Sequence, residues 1–330
     1  MPSVESKIIR TFVHAEWNIS ERLFDLNNFA NDGSKEVILI LTPDQKSKKE
    51  IHADWVVGIG IENDERWKKF KPDLIISPEE VEAIPLKLWA KIDEANYKDV
   101  IVGAREILFL GTKGSPGTST IAWNYAGELA RSGQKTLLVE ENIYGAEGSL
   151  FFGFDDQVRS SSTFTAITIR PNYDLLCTPL VRTTAESATP QYWGEMRRKV
   201  QDKFVQIVID GGVFHYEESS SQSYFVTRAE QIFLIGQDDI FSLLRLKLMV
   251  EQIQDLSNTA KISVVVNKSK SGVKSTLKRE NYLSISSDLN IFFLPREDRL
   301  FAECVTDGVL LSEVKGSKAA SFSGQIKGLN

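Results

Sequence analysis

The chemical signal of this chain is concentrated in "GTKGSPGTST", Gly111 to Thr120. Backbone N–H groups that curve around the start of a helix bind an anion, and the helix dipole adds to the attraction. Gly114 and Gly117 suit that curvature, Ser119 is placed to offer a hydroxyl to Mg²⁺, and Thr120 is placed to reach phosphates. Two residues count against such a site. Pro116 has no N–H to donate, and Thr118 stands where a phosphate loop carries its lysine. Taken locally, the stretch reads equally well as a phosphate cradle and as a tight turn between a strand and a helix.

The flanking elements are the ones that would position it. "ILFLG" enters the loop as an apolar strand, and the helix that leaves it carries Ile121, Tyr125 and Leu129 on one stripe. From Glu106 onward, apolar runs recur at "TLLVE", "YDLLC", "VQIVID", "QIFLI", "ISVVVN" and "NIFFL". Runs that are apolar on both faces read as buried strands of a mostly parallel sheet. Two helical stripes lie between them, Tyr192, Met196, Val200 and Phe204, and Leu243, Leu246, Val250, Ile253 and Leu256. The expected fold is α/β, a doubly wound, mostly parallel sheet that binds ligands beyond the carboxyl ends of its strands. Asp238 and Asp239 are expected to cap the helix that follows them.

Three segments are expected along the chain: a small α/β domain over 1–104, the doubly wound domain over 105–316, and a flexible tail over 317–330. In the first, "KIIRTFVHA", "EVILILTPD", "ADWVVGIGI" and "DLIISP" read as strands and "ERLFDLNNFAN" as a helix. A receiver-like shape is one candidate. The acidic pair and phospho-accepting aspartate of a working receiver are missing, so a docking module fits better. Trp17, Trp55, Trp67 and Trp89 are expected mostly in its core, and His14, His52 and His215 show no metal-ligand spacing.

The net charge of −6 offers no broad basic field for nucleic acid. No apolar run approaches the roughly 20 residues that span a bilayer. Cys177 and Cys304 lack metal spacing, and the first residues lack the basic-then-apolar layout of a signal peptide. A cytoplasmic setting is expected, with recruitment to the pole or inner membrane face only through partners.

The skeleton K-G-x-x-G-x-S-T, beginning at Lys113, is similar to the deviant Walker A motif of the MinD/ParA group of P-loop ATPases. The resemblance extends over 106–314. "QKTLLVEENIYGAEGSLFFGF" resembles that group's K-x-L-L-x-D-x-D strand, "FVQIVIDGG" its Walker B strand, "ISVVVNK" its base-facing strand and "FFLPREDRLFAECVTDGVLL" its closing element. Within the group, the chain looks most like the CpaE/TadZ branch associated with pilus assembly. The resemblance implies ATP and Mg²⁺ as ligands. Lys113 would be the signature lysine that reaches a dimer partner's phosphates, Asp210 and Ser119 would hold Mg²⁺, Asn267 would face adenine, and Pro295 and Arg296 of the closing element, with Asp298, would belong to the cofactor site. Glu140 and Asn142 occupy the two acidic positions, and a neutral Asn142 cannot act as a base. Losing the loop lysine and one carboxylate removes two electrostatic groups, each worth roughly 10²–10³ in rate. The implied protein is a homodimeric localisation or scaffold protein of a Flp/Tad-like pilus or secretion assembly. It binds ATP weakly or not at all and hydrolyses little. The rivals are an active MinD/ParA-like ATPase that positions a septum or DNA cargo, and a regulatory subunit whose sheet is only a platform.

Overall fold

The computed structural model describes residues 8, 38–44, 53–61, 64–84, 87–88, 91, 104–114, 116–141, 147–154, 166–177, 190–200, 202–215, 221–257, 259–269, 277, 279–285 and 289–329. The chain divides into two compact units, Met1–Val100 with Thr189–Gly194, and Ile101–Ala188 with Glu195–Asn330.

In the first unit, β1 (Ile38–Leu41), β2 (Trp55–Ile59) and β3 (Leu74–Ile76) form a parallel sheet in that order. Val57, Ile59 and Ile76 pack with Val81, Ile84 and Leu88 on one face, and Leu39 and Leu41 pack with Trp67 on the other. Gly58 makes room for Trp67, because a Cβ there would lie 2.8 Å from the indole ring. The buried indole N–H is satisfied by the Ile61 carbonyl at 2.9 Å. The strand expected over 7–15, apart from Ile8, and the helix expected over 21–31 lie outside the described residues, as do Trp17 and Trp89.

The second unit runs β4 (Arg105–Gly111), α1 (Thr118–Arg131), β5 (Thr136–Glu140), α2 (Glu147–Phe152), β6 (Ile167–Arg170), β7 (Tyr173–Cys177), α3 (Pro190–Val200, of which 195–200 falls in this unit) and β8 (Gln206–Val213). It continues with α4 (Ser221–Val226), β9 (Gln231–Gln237), α5 (Ile240–Leu256), β10 (Lys261–Ser269), α6 (Arg279–Leu283), β11 (Asn290–Pro295), α7 (Asp298–Asp307) and α8 (Ser317–Lys327). The strand order is β11-β10-β9-β4-β8-β5-β7-β6, and every pairing is parallel except β6 with β7. All the apolar runs read from the sequence in this unit are strands. The antiparallel β6 escaped because "ITIR" is an edge segment, half-exposed and too short for a clear alternation.

β4 lies at the centre, between β8 and β9, so the chain winds away from it in both directions. That reversal opens a crevice at the carboxyl end of β4, where the phosphate-loop sequence begins. Phe109 of β4 stacks on Phe233 at 4.9 Å between ring centroids and meets Tyr125 of α1 at 5.3 Å. The helix that leaves the loop is therefore anchored to the middle of the sheet.

The expectation of a flexible tail over 317–330 is corrected. α8 is a helix that buries Ala319, Phe322 and Ile326, and Leu329 beyond it is also buried. Phe322 meets Phe301 of α7 edge-on at 4.9 Å, and the Ser323 hydroxyl donates to the buried Glu128 carboxylate of α1. The apolar residues recur at helical spacing, but small and polar residues between them hide the pattern. Leu310 packs so closely on α1 that a Cβ at Gly127 would lie 2.5 Å from its methyl group. The final segment of the chain thus braces the helix that carries the loop.

Candidate functional site

α1 begins at Gly117, which adopts φ 93, and no side chain caps its first turn. That turn also lacks acidic residues. Its N–H groups therefore open onto a cavity of 1290 Å³ at the carboxyl ends of the strands. Gly114, Gly117, Thr118, Ser119 and Thr120 line one side, with Pro116 among them. Gly211, Gly212 and Val213 after the Asp210 position line it too, as do Pro295, Phe301, Ala302 and Val305 interleaved with Glu297, Asp298 and Thr306.

Gly111 is where the loop folds back on its strand. A Cβ there would strike the Thr118 hydroxyl and approach the Pro116 ring to 2.9 Å. Thr118 is 4% exposed, and its Oγ1 has no hydrogen-bond partner. The residue in the lysine position is thus turned against the strand end. Asn267, at 4% exposure, donates from Nδ2 to the Pro116 carbonyl at 2.7 Å, while its Oδ1 is buried without a partner.

Asp210 is fully buried, accepts from the Gly212 amide at 3.2 Å on Oδ1, and has no partner within hydrogen-bond distance on Oδ2. Burial pushes its carboxyl up to about 6, opposed by the Ser119 hydroxyl, the Gly212 amide and the Trp123 indole. Glu140 lies opposite it across the β5–β8 register. Burial, reinforced by Asp210, pushes Glu140 up to about 8, although the Gly148 amide (2.7 Å) and the Cys177 thiol (3.2 Å) both donate to it. Near neutral pH Glu140 therefore holds its proton, and it supports α2 rather than facing the cavity. Asn142 and Ser115 lie outside the described residues.

The carboxylate that does line the cavity beside β5 is Glu141, 3% exposed and bonded by the Ser221 hydroxyl. Its amide donates to the Asp210 carbonyl at 3.0 Å. The sequence motif does not point to it, because it lies between the two acidic positions. Alternation along the strand end sends Glu140 inward and Glu141 toward the crevice. Glu147, Glu297 and Asp298 add further negative charge, with Lys268 as a lining cation. Gln222 also lines the cavity. It bonds the Gly211 and Val213 carbonyls at 2.6 and 2.8 Å and accepts from the His215 amide at 2.8 Å, which pins the turn after Asp210.

Lys113 is absent from the cavity wall. Its ammonium pairs with Asp239 at 2.7 Å, and both side chains are partly exposed. Asp239 caps α5 as the sequence suggested, accepting from the Ser242 amide at 2.9 Å. Partial burial raises the Asp239 carboxyl, but Lys113 and the cap outweigh it and hold it below its usual range. Asp239→Ala is expected to cost about 1 kcal/mol through loss of the cap. Asp239→Asn, which keeps an acceptor and removes only a half-exposed ion pair, is expected to cost less than about 0.5 kcal/mol. Urea titration of both variants checks this, and equal losses would show that the ion pair rather than the cap carries the stability. Arg296 also stands outside the cavity wall, paired with Asp298 at 2.5 Å, whereas Pro295 lines it.

The chain has the α/β fold of the MinD/ParA P-loop ATPases that its motifs resemble. A ParA-family ATPase from Chlorobium tepidum superposes with TM-score 0.58 at 14% identity, over 70% of this chain and 100% of that one. MinD from Pyrococcus horikoshii, solved with Mg-ADP, superposes with TM-score 0.55 at 18% identity, over 68% of this chain and 94% of that one. By sequence, the chain is 25% identical over 176 residues to an uncharacterised ATP-binding protein of Methanocaldococcus jannaschii. That match takes in 49% of this chain and 65% of the relative's length. No protein-family model matches the chain. No helix among the described residues is long and apolar enough to cross a membrane.

The donor set fits a phosphate-bearing ligand with Mg²⁺. An uncapped helix start supplies amides, and Ser119 with Asp210 offers oxygen atoms of the kind Mg²⁺ takes. Asp210 Oδ2 is buried with no protein atom within hydrogen-bond distance, and Ser119 and Trp123 act on the carboxylate only from farther away.

Proposed function

We propose that this protein binds ATP-Mg²⁺ at the crevice beyond β4, turns it over little, and serves as a homodimeric localisation or scaffold protein. A Flp/Tad-like pilus or secretion assembly is the machine we assign to it, on the resemblance of its divergent loop and its additional N-terminal unit to the CpaE/TadZ branch. A cytoplasmic setting, with partners drawing it to the pole or inner membrane face, belongs to the same reading. The carrying observation is Thr118: the helix start after the loop is uncapped, but the residue in the lysine position is packed against Gly111. The uncapped helix start still holds phosphate, while the charge that would stabilise phosphoryl transfer is missing. The ATP-binding relative and the Mg-ADP complex of the structural neighbour support these ligands. Ile240, Phe241, Leu244 and Leu248 stand exposed along α5 and offer an apolar strip of the kind that partner surfaces cover.

The test is binding without turnover. A ligand that binds only the folded state at ten times its Kd adds about 1.4 kcal/mol, a shift of a few degrees in Tm. ATP-Mg²⁺ is expected to produce that shift with little phosphate release. Thr118→Lys is expected to tighten binding about 10- to 100-fold, as one added charged hydrogen bond would. No shift in either protein sinks the nucleotide reading. Rapid phosphate release by the unmodified chain would favour the alternative, an active positioning ATPase, for which Glu141 on the cavity wall is the supporting observation.

A further inference from the structure

Asn267 reaches the phosphate loop from the far strand β10, across 151 residues of sequence, and its Nδ2 donates to the Pro116 carbonyl at 2.7 Å. Pro116 has no N–H, so that carbonyl is the one backbone group through which the residue can be hydrogen-bonded in place. The same nitrogen occupies the space a Cβ on Gly117 would need, and Gly117 is the left-handed residue that starts α1. Asn267 is therefore wedged against the turn and bonded to it, and it lines the cavity as well. Its remaining acceptor, Oδ1, is sealed from solvent without a partner.

We propose that Asn267 is a positioning residue for the phosphate loop: it fixes the Pro116–Gly117 turn so that the first amides of α1 face the cavity. It acts on the phosphate end of the ligand. The motif resemblance would have it read the base, but its amide nitrogen is committed to the loop. One N–H of that nitrogen is engaged and Oδ1 is sealed, which leaves the second N–H as the one group the side chain could offer to a base. Pro295, Phe301, Ala302 and Val305 line the cavity beside Glu297, Asp298 and Thr306. The ligand class that follows is a nucleoside di- or triphosphate held mainly by its phosphates. This inference rests on the nucleotide-binding reading above.

The experiment compares Mg-ATP, Mg-GTP and Mg-tripolyphosphate, which has no base, by calorimetry on the full chain. Asn267→Ala is expected to weaken all three by a similar factor, about 5- to 10-fold for one lost hydrogen bond. Hydrogen exchange supplies a ligand-free readout: the amides at 117–120 are expected to exchange faster in Asn267→Ala, with β4 and β9 unchanged. That pattern also separates a local strap from a general loss of stability. A loss confined to Mg-ATP, with tripolyphosphate unaffected, would overturn the proposal and make Asn267 a base reader. Unchanged affinities and exchange in Asn267→Ala would overturn it too. An unmodified chain that binds none of the three ligands overturns the nucleotide-binding reading, and this inference with it.

Discussion

Phe322→Ala is expected to cost about 3–5 kcal/mol, the usual penalty for emptying a buried aromatic site. Phe322 is 1% exposed and lies edge-on against Phe301, on the helix that covers α1. Removing 317–329 altogether should be worse, because Ala319, Ile326 and Leu329 leave with it and the buried Glu128 loses its Ser323 partner. Urea unfolding of the full chain and the variants measures the cost. A surface tail would change stability by no more than about 0.5 kcal/mol, so a loss that small would refute the packing described for α8. Because α8 braces α1, the same variants are expected to loosen the phosphate loop and weaken any ligand bound there.

The second large effect is a pH dependence centred on Glu140. Its carboxyl titrates near 4.5 in an ordinary setting and near 8 in the fold, through burial first and Asp210 second. Between those values the unfolded chain has released the proton and the folded chain keeps it. The folded state then binds more protons, so this group makes stability fall as pH rises through the window. Glu140→Gln reproduces the protonated acid, with an oxygen to accept from the Gly148 amide and an amino group facing the Cys177 sulfur. It is expected to change stability by less than about 1 kcal/mol at pH 5 and to raise it by up to about 5 kcal/mol at pH 8.5, since each tenfold change in a protonation equilibrium is worth about 1.4 kcal/mol and the rise from 4.5 to about 8 spans more than three of them. Stability curves against pH for both proteins decide the matter. If the variant is the less stable at pH 8.5, Glu140 is ionised in the fold and its burial has been offset by a partner.

Much of the second unit was legible because its strands are apolar on both faces, a pattern that only burial between two helical layers explains. The loop residues likewise marked where the helix starts, since Gly117 suits a left-handed turn and Ser119 follows it. Asp239 was readable as a cap because capping is local. Besides the edge strand β6, two features were not readable. Glu141 faces the cavity only because β5 ends at Glu140, and strand ends are where sequence patterns are least definite. α8 hid its apolar stripe among serine, alanine and glycine, so its packing on α1 could not be inferred from composition.

The buried strands of the second unit, the place of the phosphate loop and the lack of a lysine at its Thr118 position are written in the residues themselves. The fate of the side chains around that gap is settled at the tertiary level alone. Lys113 finds Asp239 across 126 positions, Asn267 finds Pro116 across 151, and Thr118 turns against Gly111. Such contacts depend on which strands the crossovers bring side by side. The chain's local preferences set each element, but the meeting of distant strand ends is fixed by the winding of the sheet.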